Sequence, residues 1–94
     1  MVDIRMIKAP STCTLDIIQS RSKYDFGDKK PAAIGLVQGK IIEMICAADI
    51  AQKCVGVEVM DVRGSCPQNM VLIAITGDTS SVEEALEEIR RKLV

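Results

Sequence analysis

The stretch MVLIAITGDTSSVEEALEEIRRKLV, residues 70–94, decides the fold class because a strand pattern is followed directly by a helix pattern. MVLIAI, Met70 to Ile75, is a continuous apolar run, which is typical of a strand in the middle of a sheet. After it, Ser80 and Glu83 fit a Ser-x-x-Glu capping box and predict a helix start. The apolar residues of that segment recur at helical spacing: Val82, Leu86, Ile89 and Leu93.

Four earlier segments extend this reading toward the N-terminus. VEVMDV (57–62) alternates as a strand, and AAIGLVQ (32–38) is a short apolar run that predicts a buried strand. GKIIEMICAADIAQKC (39–54) predicts a helix with one apolar stripe, formed by Ile41, Ile45, Ala48 and Ala51. TCTLDIIQ (12–19) places its apolar residues on alternate positions, which predicts a further strand.

The remaining segments complete a single domain over residues 1–94. Residues 1–11 form a tail or an exposed strand, the polar residues 20–31 a loop, and residues 32–94 the core. The order of elements predicts an α+β fold with about four strands and two main helices on one face of the sheet. If 12–19 were moved to the end, the order would be βαββαβ, so we expect a circularly permuted ferredoxin-like domain.

Composition limits the possible functions. With 48% hydrophobic residues in 94, part of the apolar surface is expected to be buried between subunits. The net charge is −1 and only two residues are aromatic, so the sequence provides neither the basic surface nor the stacking residues typical of nucleic-acid binding. No apolar run approaches the roughly 20 residues of a membrane span, so we expect a cytoplasmic protein with reduced cysteines. Histidine is absent, and no catalytic motif is present, so we expect no enzyme and no catalytic residues.

From Ala33 onward the chain resembles the bacterial microcompartment shell domain. The resemblance rests on AIGLV (33–37), AADIAQK (47–53), VEVMDV (57–62) and ITGDTSSVEEAL (75–86), in the family's order and spacing. The family usually ends with another strand after the second helix, whereas this chain stops at Val94. RMIKAPSTCTLDIIQ (5–19) instead resembles the start of permuted shell proteins, in which the final strand is moved to the front.

The resemblance implies a structural role. Shell proteins of this family form six-fold cyclic tiles that join edge to edge around encapsulated enzymes, with a central pore. The partners are therefore other copies of the chain, other shell proteins and, further, the enclosed enzymes. Lys53 matches the family's edge lysine, which lies at the contact between neighbouring tiles. The alternative interpretation is that Lys53 is a solvated lysine at the end of a helix. Residues 2–9 could join their symmetry mates in a small barrel over the pore.

The segment VRGSCPQN (62–69) falls where the family has its pore loop. The resemblance assigns pore-lining positions to six residues: Gly64, Ser65, Cys66, Pro67, Gln68 and Asn69. Of the four cysteines, Cys13 and Cys46 are interpreted as small core residues and Cys54 as a structural residue at a helix end. No pair has Cys-x-x-Cys spacing, so one chain does not provide a metal site of the usual kind.

Cys66 is different because a polar turn does not bury it. Around a six-fold axis, copies of Cys66 would converge, and the Gly-Ser-Cys-Pro motif resembles the iron–sulfur-binding shell protein of glycyl-radical propanediol microcompartments. That resemblance implies Cys66 as the metal ligand of an iron–sulfur cluster, [4Fe–4S] in type, one per hexamer, for electron transfer across the shell. Three alternatives stay open: an inert or redox-sensitive pore thiol, a metal-free metabolite pore, and a ferredoxin-like module that binds a small ligand.

Overall fold

The computed structural model describes residues 2–64 and 70–93, which form a four-stranded antiparallel sheet and three helices. The elements in chain order are β1 (Asp3–Lys8), α1 (Thr12–Ser22), β2 (Ala33–Lys40), α2 (Ile41–Gln52), β3 (Val57–Val62), β4 (Met70–Gly77) and α3 (Thr79–Leu93). The α+β class and the four-stranded sheet are confirmed.

The sheet has the order β1-β2-β4-β3, with the two most apolar strands in the middle. β2 pairs with β4 from Ala33 opposite Gly77 to Lys40 opposite Met70. One face is covered by α2 and α3, whose buried residues join the larger core cluster. The opposite face packs against α1 through Leu15 and Ile18. A third helix therefore covers the face that the sequence analysis left open.

The prediction of a strand over residues 12–19 is wrong, since this segment lies within α1. Ser11 caps the helix by accepting a hydrogen bond from the backbone N–H of Thr14 at 3.2 Å. Leu15 and Ile18, three residues apart, are buried, whereas Ile17 is exposed. The alternation of Cys13, Leu15 and Ile17 agreed with a strand by coincidence, because Leu15 and Ile18 also satisfy a helical period.

The strand expected before β2 is formed instead by residues 3–8. β1 pairs with β2 along its whole length, from Asp3 opposite Gln38 to Lys8 opposite Ala33. Residues 3–8 are thus the edge strand of the sheet. Placing β1 after α3 would give the order βαββαβ for the elements outside α1. The loop predicted from residue 20 begins later, because α1 continues to Ser22 and ends at Lys23 in the left-handed conformation.

The buried side of α2 differs from the predicted stripe. Met44, Ala47 and Ala51 face the core, while Ile41 and Ile45 are exposed. Cys46 and Cys13 are also exposed, so the interpretation of both as core residues is wrong. Cys54 packs against the core, and its Sγ–H donates to the Ile50 carbonyl at 3.4 Å, in agreement with a structural role.

The start of α3 explains the Gly-Asp pair that precedes it. Asp78, rather than Ser80, caps the helix: its Oδ1 accepts from the Ser81 backbone N–H at 2.8 Å. Glu83, the predicted second member of the box, pairs instead with Lys8 of β1 at 3.4 Å. The predicted apolar stripe is confirmed and includes one further residue, Ala85.

Candidate functional site

The proposed pore loop connects the neighbouring strands β3 and β4 at one end of the sheet. Val62, the last residue of β3, is paired with Leu72, and β4 begins at Met70, so the two strands are antiparallel neighbours that follow one another in the chain. Five of the six predicted pore-lining residues (Ser65, Cys66, Pro67, Gln68 and Asn69) lie outside the residues that the structure describes. Gly64, the sixth, is exposed at the base of the loop.

The base of this loop is held by the C-terminal end of α1. The backbone N–H of Arg63 donates to the Arg21 carbonyl at 3.0 Å. In return, Nη1 of the Arg21 guanidinium donates to the Arg63 carbonyl at 3.3 Å. α1 is itself fixed to the sheet by Leu15 and Ile18, so the loop base is attached to a packed element rather than to another loop. The sequence does not identify Arg21 as a residue of this site, because it lies in the segment 20–31, for which the sequence predicts a loop.

This end of the sheet carries exposed cationic side chains. Arg21 and Arg63 lie at the loop base, beside a cleft of about 360 Å³ that they line together with Gly64. Lys40, opposite Met70 in the β2–β4 register, adds a third exposed cation. An iron–sulfur cluster bound by thiolates is anionic, and cations near it lower the free energy of the charged group. The described charges at the loop base therefore fit such a cluster, for which Cys66 would be the donor.

Within residues 2–64 and 70–93, no group of three or more Cys, Asp or Glu side chains could hold a metal ion. The three cysteines in these residues, Cys13, Cys46 and Cys54, are free thiols that belong to different places in the fold. Cys13 is on α1, Cys46 on α2, and Cys54 follows the end of α2. Within one chain these three thiols therefore do not form a metal site together.

Lys53 lies at the other end of α2 from the loop. α2 starts directly after Lys40 and ends at Gln52, and its 12 residues span roughly 18 Å at the usual helical rise. The Nζ of Lys53 lies 2.8 Å from Oδ2 of Asp49, and both side chains are exposed. The hydrogen bond with Asp49, and then its negative charge, raise the pKa of Lys53 above its usual value, so the amine is charged. This exposed ion pair contributes little to folding and leaves the lysine available for contact with another molecule.

In the described part of the chain, no helix has both the length and the apolar character to cross a bilayer.

Comparison with known proteins gives relatives over nearly the whole chain. Residues 33–93 match the model of the BMC domain family. The chain is similar to the ligand-free structure of the GrpU microcompartment shell protein from Clostridiales bacterium 1_7_47FAA. The identity is 49% over 96% of this chain and 89% of that one, with a TM-score of 0.76. It is also similar to the ligand-free GrpU shell protein from Pectobacterium wasabiae, with 28% identity over 94% and 99% and a TM-score of 0.74. Among curated proteins no relative matches. Because the family match covers more than half of the chain, this protein belongs to the BMC domain family of microcompartment shell proteins.

Proposed function

We propose that the chain assembles into six-fold rings that tile the shell of a bacterial microcompartment, and that Cys66 residues around the ring axis bind one iron–sulfur cluster. The observation that carries the proposal is the position of the Cys66 loop. It emerges between two paired strands at one end of the sheet, and its base is bonded to α1 through Arg21. Because Arg63 and the strand ends are held in this way, every copy in a ring would direct the segment that carries Cys66 toward the common axis.

The ring provides what a single chain lacks. One thiol per chain cannot hold a cluster that needs four thiolates, whereas symmetry brings several copies of Cys66 together. A bound [4Fe–4S] cluster would supply one-electron redox chemistry at the pore. Cations at the loop base, Arg21 and Arg63, would compensate the negative charge of the thiolates. A proline after Cys66 in the sequence favours an extended Cys66 and removes one backbone donor, and Ser65, Gln68 and Asn69 would supply polar contacts to a bound cluster.

The same proposal gives α2 a second role at the edge of the tile. Lys53 is exposed at the end of the helix that is farthest from the loop, so it would lie at the outside of a ring centred on the loop. We assign to it the contact with neighbouring tiles. In this arrangement the partners are further copies of the chain and other shell proteins, with the enclosed enzymes on one side, and the role is structural rather than catalytic.

A circular permutation accounts for the elements before the family match. The match begins at residue 33, so β1 and α1 precede it. β1 occupies the edge next to β2, the place that the last strand of a ferredoxin-like βαββαβ domain takes. We propose that β1 is this last strand, moved to the front of the chain.

The cluster is tested by anaerobic purification, reconstitution with iron and sulfide, and counting of both per assembly by native mass spectrometry and colorimetric analysis. The wild type should hold one cluster per six-fold ring and show visible absorption that bleaches reversibly on reduction. Cys66→Ser should abolish bound iron, whereas Cys13→Ser, which removes another exposed thiol, should bind as the wild type does.

Two results would contradict the assignment. Iron binding that is unchanged in Cys66→Ser would place the metal elsewhere. A colourless ring that conducts solutes, with flux sensitive to Ser65, Gln68 or Asn69, would favour the metal-free metabolite pore. A dimer or monomer in place of a ring would instead favour a ligand-binding ferredoxin-like module and would exclude both shell roles.

A further inference from the structure

The first half of α2 exposes more large apolar side chains than any other part of the described chain. Ile41, Ile42 and Ile45 are 48%, 72% and 67% exposed, and Cys46 beside them is exposed as well. We call these four residues the outer α2 face. The opposite side of the same helix is apolar too, because it is buried against the sheet. A helix segment that is apolar on two opposite sides is normally covered on both, and the single chain covers only one of them.

The apolar character of the exposed side stops halfway along the helix. After Cys46, the exposed positions are Asp49, Gln52 and Lys53, all polar. The outer α2 face therefore occupies only the half of α2 that begins at Lys40, which lies opposite Met70 at the end of the sheet where the Cys66 loop emerges. The polar half lies toward the proposed tile edge.

We infer that the outer α2 face is the surface on which the neighbouring copy of this chain packs within the ring. The inference rests on the proposed six-fold ring. In a ring centred on the loop, copies approach one another most closely near the axis, and the outer α2 face starts there. Permanent subunit contacts are apolar, whereas contacts made between finished assemblies are more polar. The change from isoleucine to Asp49 and Lys53 along one helix follows this division.

The contact must also have a defined symmetry. In a closed ring each interface is head-to-tail, so the outer α2 face meets a different surface of the next copy. A contact of α2 with α2 about a two-fold axis would close a dimer instead. Other exposed apolar residues do not form such a surface: Val55 (90% exposed) and Ile17 (52%) are isolated from the outer α2 face, on a turn and on α1.

The test is the double variant Ile42→Glu/Ile45→Glu, compared with Val55→Glu and Ile17→Glu. All four positions are exposed in the single chain, and glutamate is a good helix former, so each variant should keep the helical circular dichroism of the wild type. We expect size-exclusion chromatography with light scattering to show loss of the ring and a monomeric mass for the double variant. The two control variants should keep the mass of the wild-type assembly.

A second measurement uses the native thiol on the same surface. Cys46 is exposed in the single chain. If a neighbouring subunit covers the outer α2 face, the thiol can react only when the contact opens. Its alkylation in the native ring should then be at least about tenfold slower than in urea-unfolded protein. In the double variant, Cys46 should react at nearly the unfolded rate. Equal rates in the native ring and in urea would overturn the inference.

The outcomes separate this inference from the proposed ring. A wild type that is not a hexamer would refute the ring itself. A wild-type hexamer with an equally hexameric double variant would refute only the role of the outer α2 face. If that hexameric variant lost binding of an encapsulated enzyme, the face would serve a partner of another kind, which also contradicts the inference. Iron counting on the wild type tests the cluster and does not bear on the role of the outer α2 face.

Discussion

Substitution of Gly77 by alanine tests the structural reason for the Gly-Asp pair at the end of β4. A Cβ atom at Gly77 would lie 2.5 Å from the carbonyl oxygen of Gly56. Ordinary carbon–oxygen contacts of this kind begin at about 3.3 Å, so the two backbone segments would have to separate by roughly 0.8 Å. Neither is free to do so, because Gly77 is paired with Ala33 on one side and Val57 on the other.

The neighbouring turn gives the same constraint. Gly56 has a φ of 84°, which alanine and larger residues adopt at a cost, and its carbonyl position is set by that turn. We therefore place Gly77→Ala at the upper end of the about 1–3 kcal/mol that overpacking usually costs. For a domain of this size, each 1 kcal/mol lowers the Tm by roughly 4–8 °C, so the expected fall is about 10–20 °C.

Gly35→Ala is the matched control. A Cβ at Gly35 would approach three atoms of the Leu86 side chain, Cδ2 at 2.9 Å and Cδ1 and Cγ at 3.1 Å, so the obstacle is a side chain that can shift rather than a backbone carbonyl held by strand pairing. The gain from replacing a strand glycine, about 0.5–1 kcal/mol, offsets part of that adjustment. We expect the stability of Gly35→Ala to lie within about 1 kcal/mol of the wild type.

Both variants are compared by urea unfolding followed by circular dichroism, at one protein concentration, because self-assembly makes apparent stability depend on concentration. The mass of the assembly is checked for each. If Gly77→Ala unfolded at the same urea concentration as the wild type, or if Gly35→Ala lost as much stability as Gly77→Ala, the reasoning from the Gly56 carbonyl would be refuted.

Two further predictions concern the tile edge and pH. Lys53→Ala should form rings of wild-type mass but no extended sheets in negative-stain electron microscopy. The control Gln52→Ala changes an exposed neighbouring residue and should form sheets as the wild type does. Extended sheets of Lys53→Ala would contradict the edge role. Hydrogen bonds from Ser81 and Ser80 hold the pKa of Asp78 below its usual value. Its contribution to stability is therefore present above the unfolded pKa and is lost as the pH falls through the folded pKa. The Tm difference between the wild type and Asp78→Ala should shrink on acidification below about pH 4, and a difference that stayed constant would argue against it.

The parts of the fold with one dominant pattern were predictable from sequence. β4 and α3 follow directly from an apolar run and a helical stripe, and both are present at nearly the predicted positions. α1 was not predictable in the same way, because Cys13, Leu15 and Ile17 fit a period of two as well as Leu15 and Ile18 fit a helix. Only the cap at Ser11 distinguishes the two possibilities, and a single serine is a weak signal.

Residues that act through long-range contacts were harder to predict from the sequence. Arg21 bonds to a residue that is 42 positions away in the chain, and nothing local to Arg21 predicts that contact. The orientation of α2 was ambiguous for a different reason. Since the helix is apolar on two sides, the sequence could not tell whether Ile45 or Met44 faces the sheet, and the periodicity favoured the wrong stripe.

Two departures from the residue distribution expected of a monomer lie at the same end of the sheet. Cys66 is a cysteine in a polar stretch of the sequence, and Ile42 and Ile45 are isoleucines exposed to solvent; each departs from what is usual in a monomer. The Cys66 loop and the start of α2 lie at the same end of the sheet, as the pairing of Lys40 with Met70 requires. Sequences depart from local rules where function or assembly provides compensation elsewhere. The proposed ring of subunits around that end would account for both departures by one cause, whereas Val55 and Ile17 are isolated exposed residues that it does not explain.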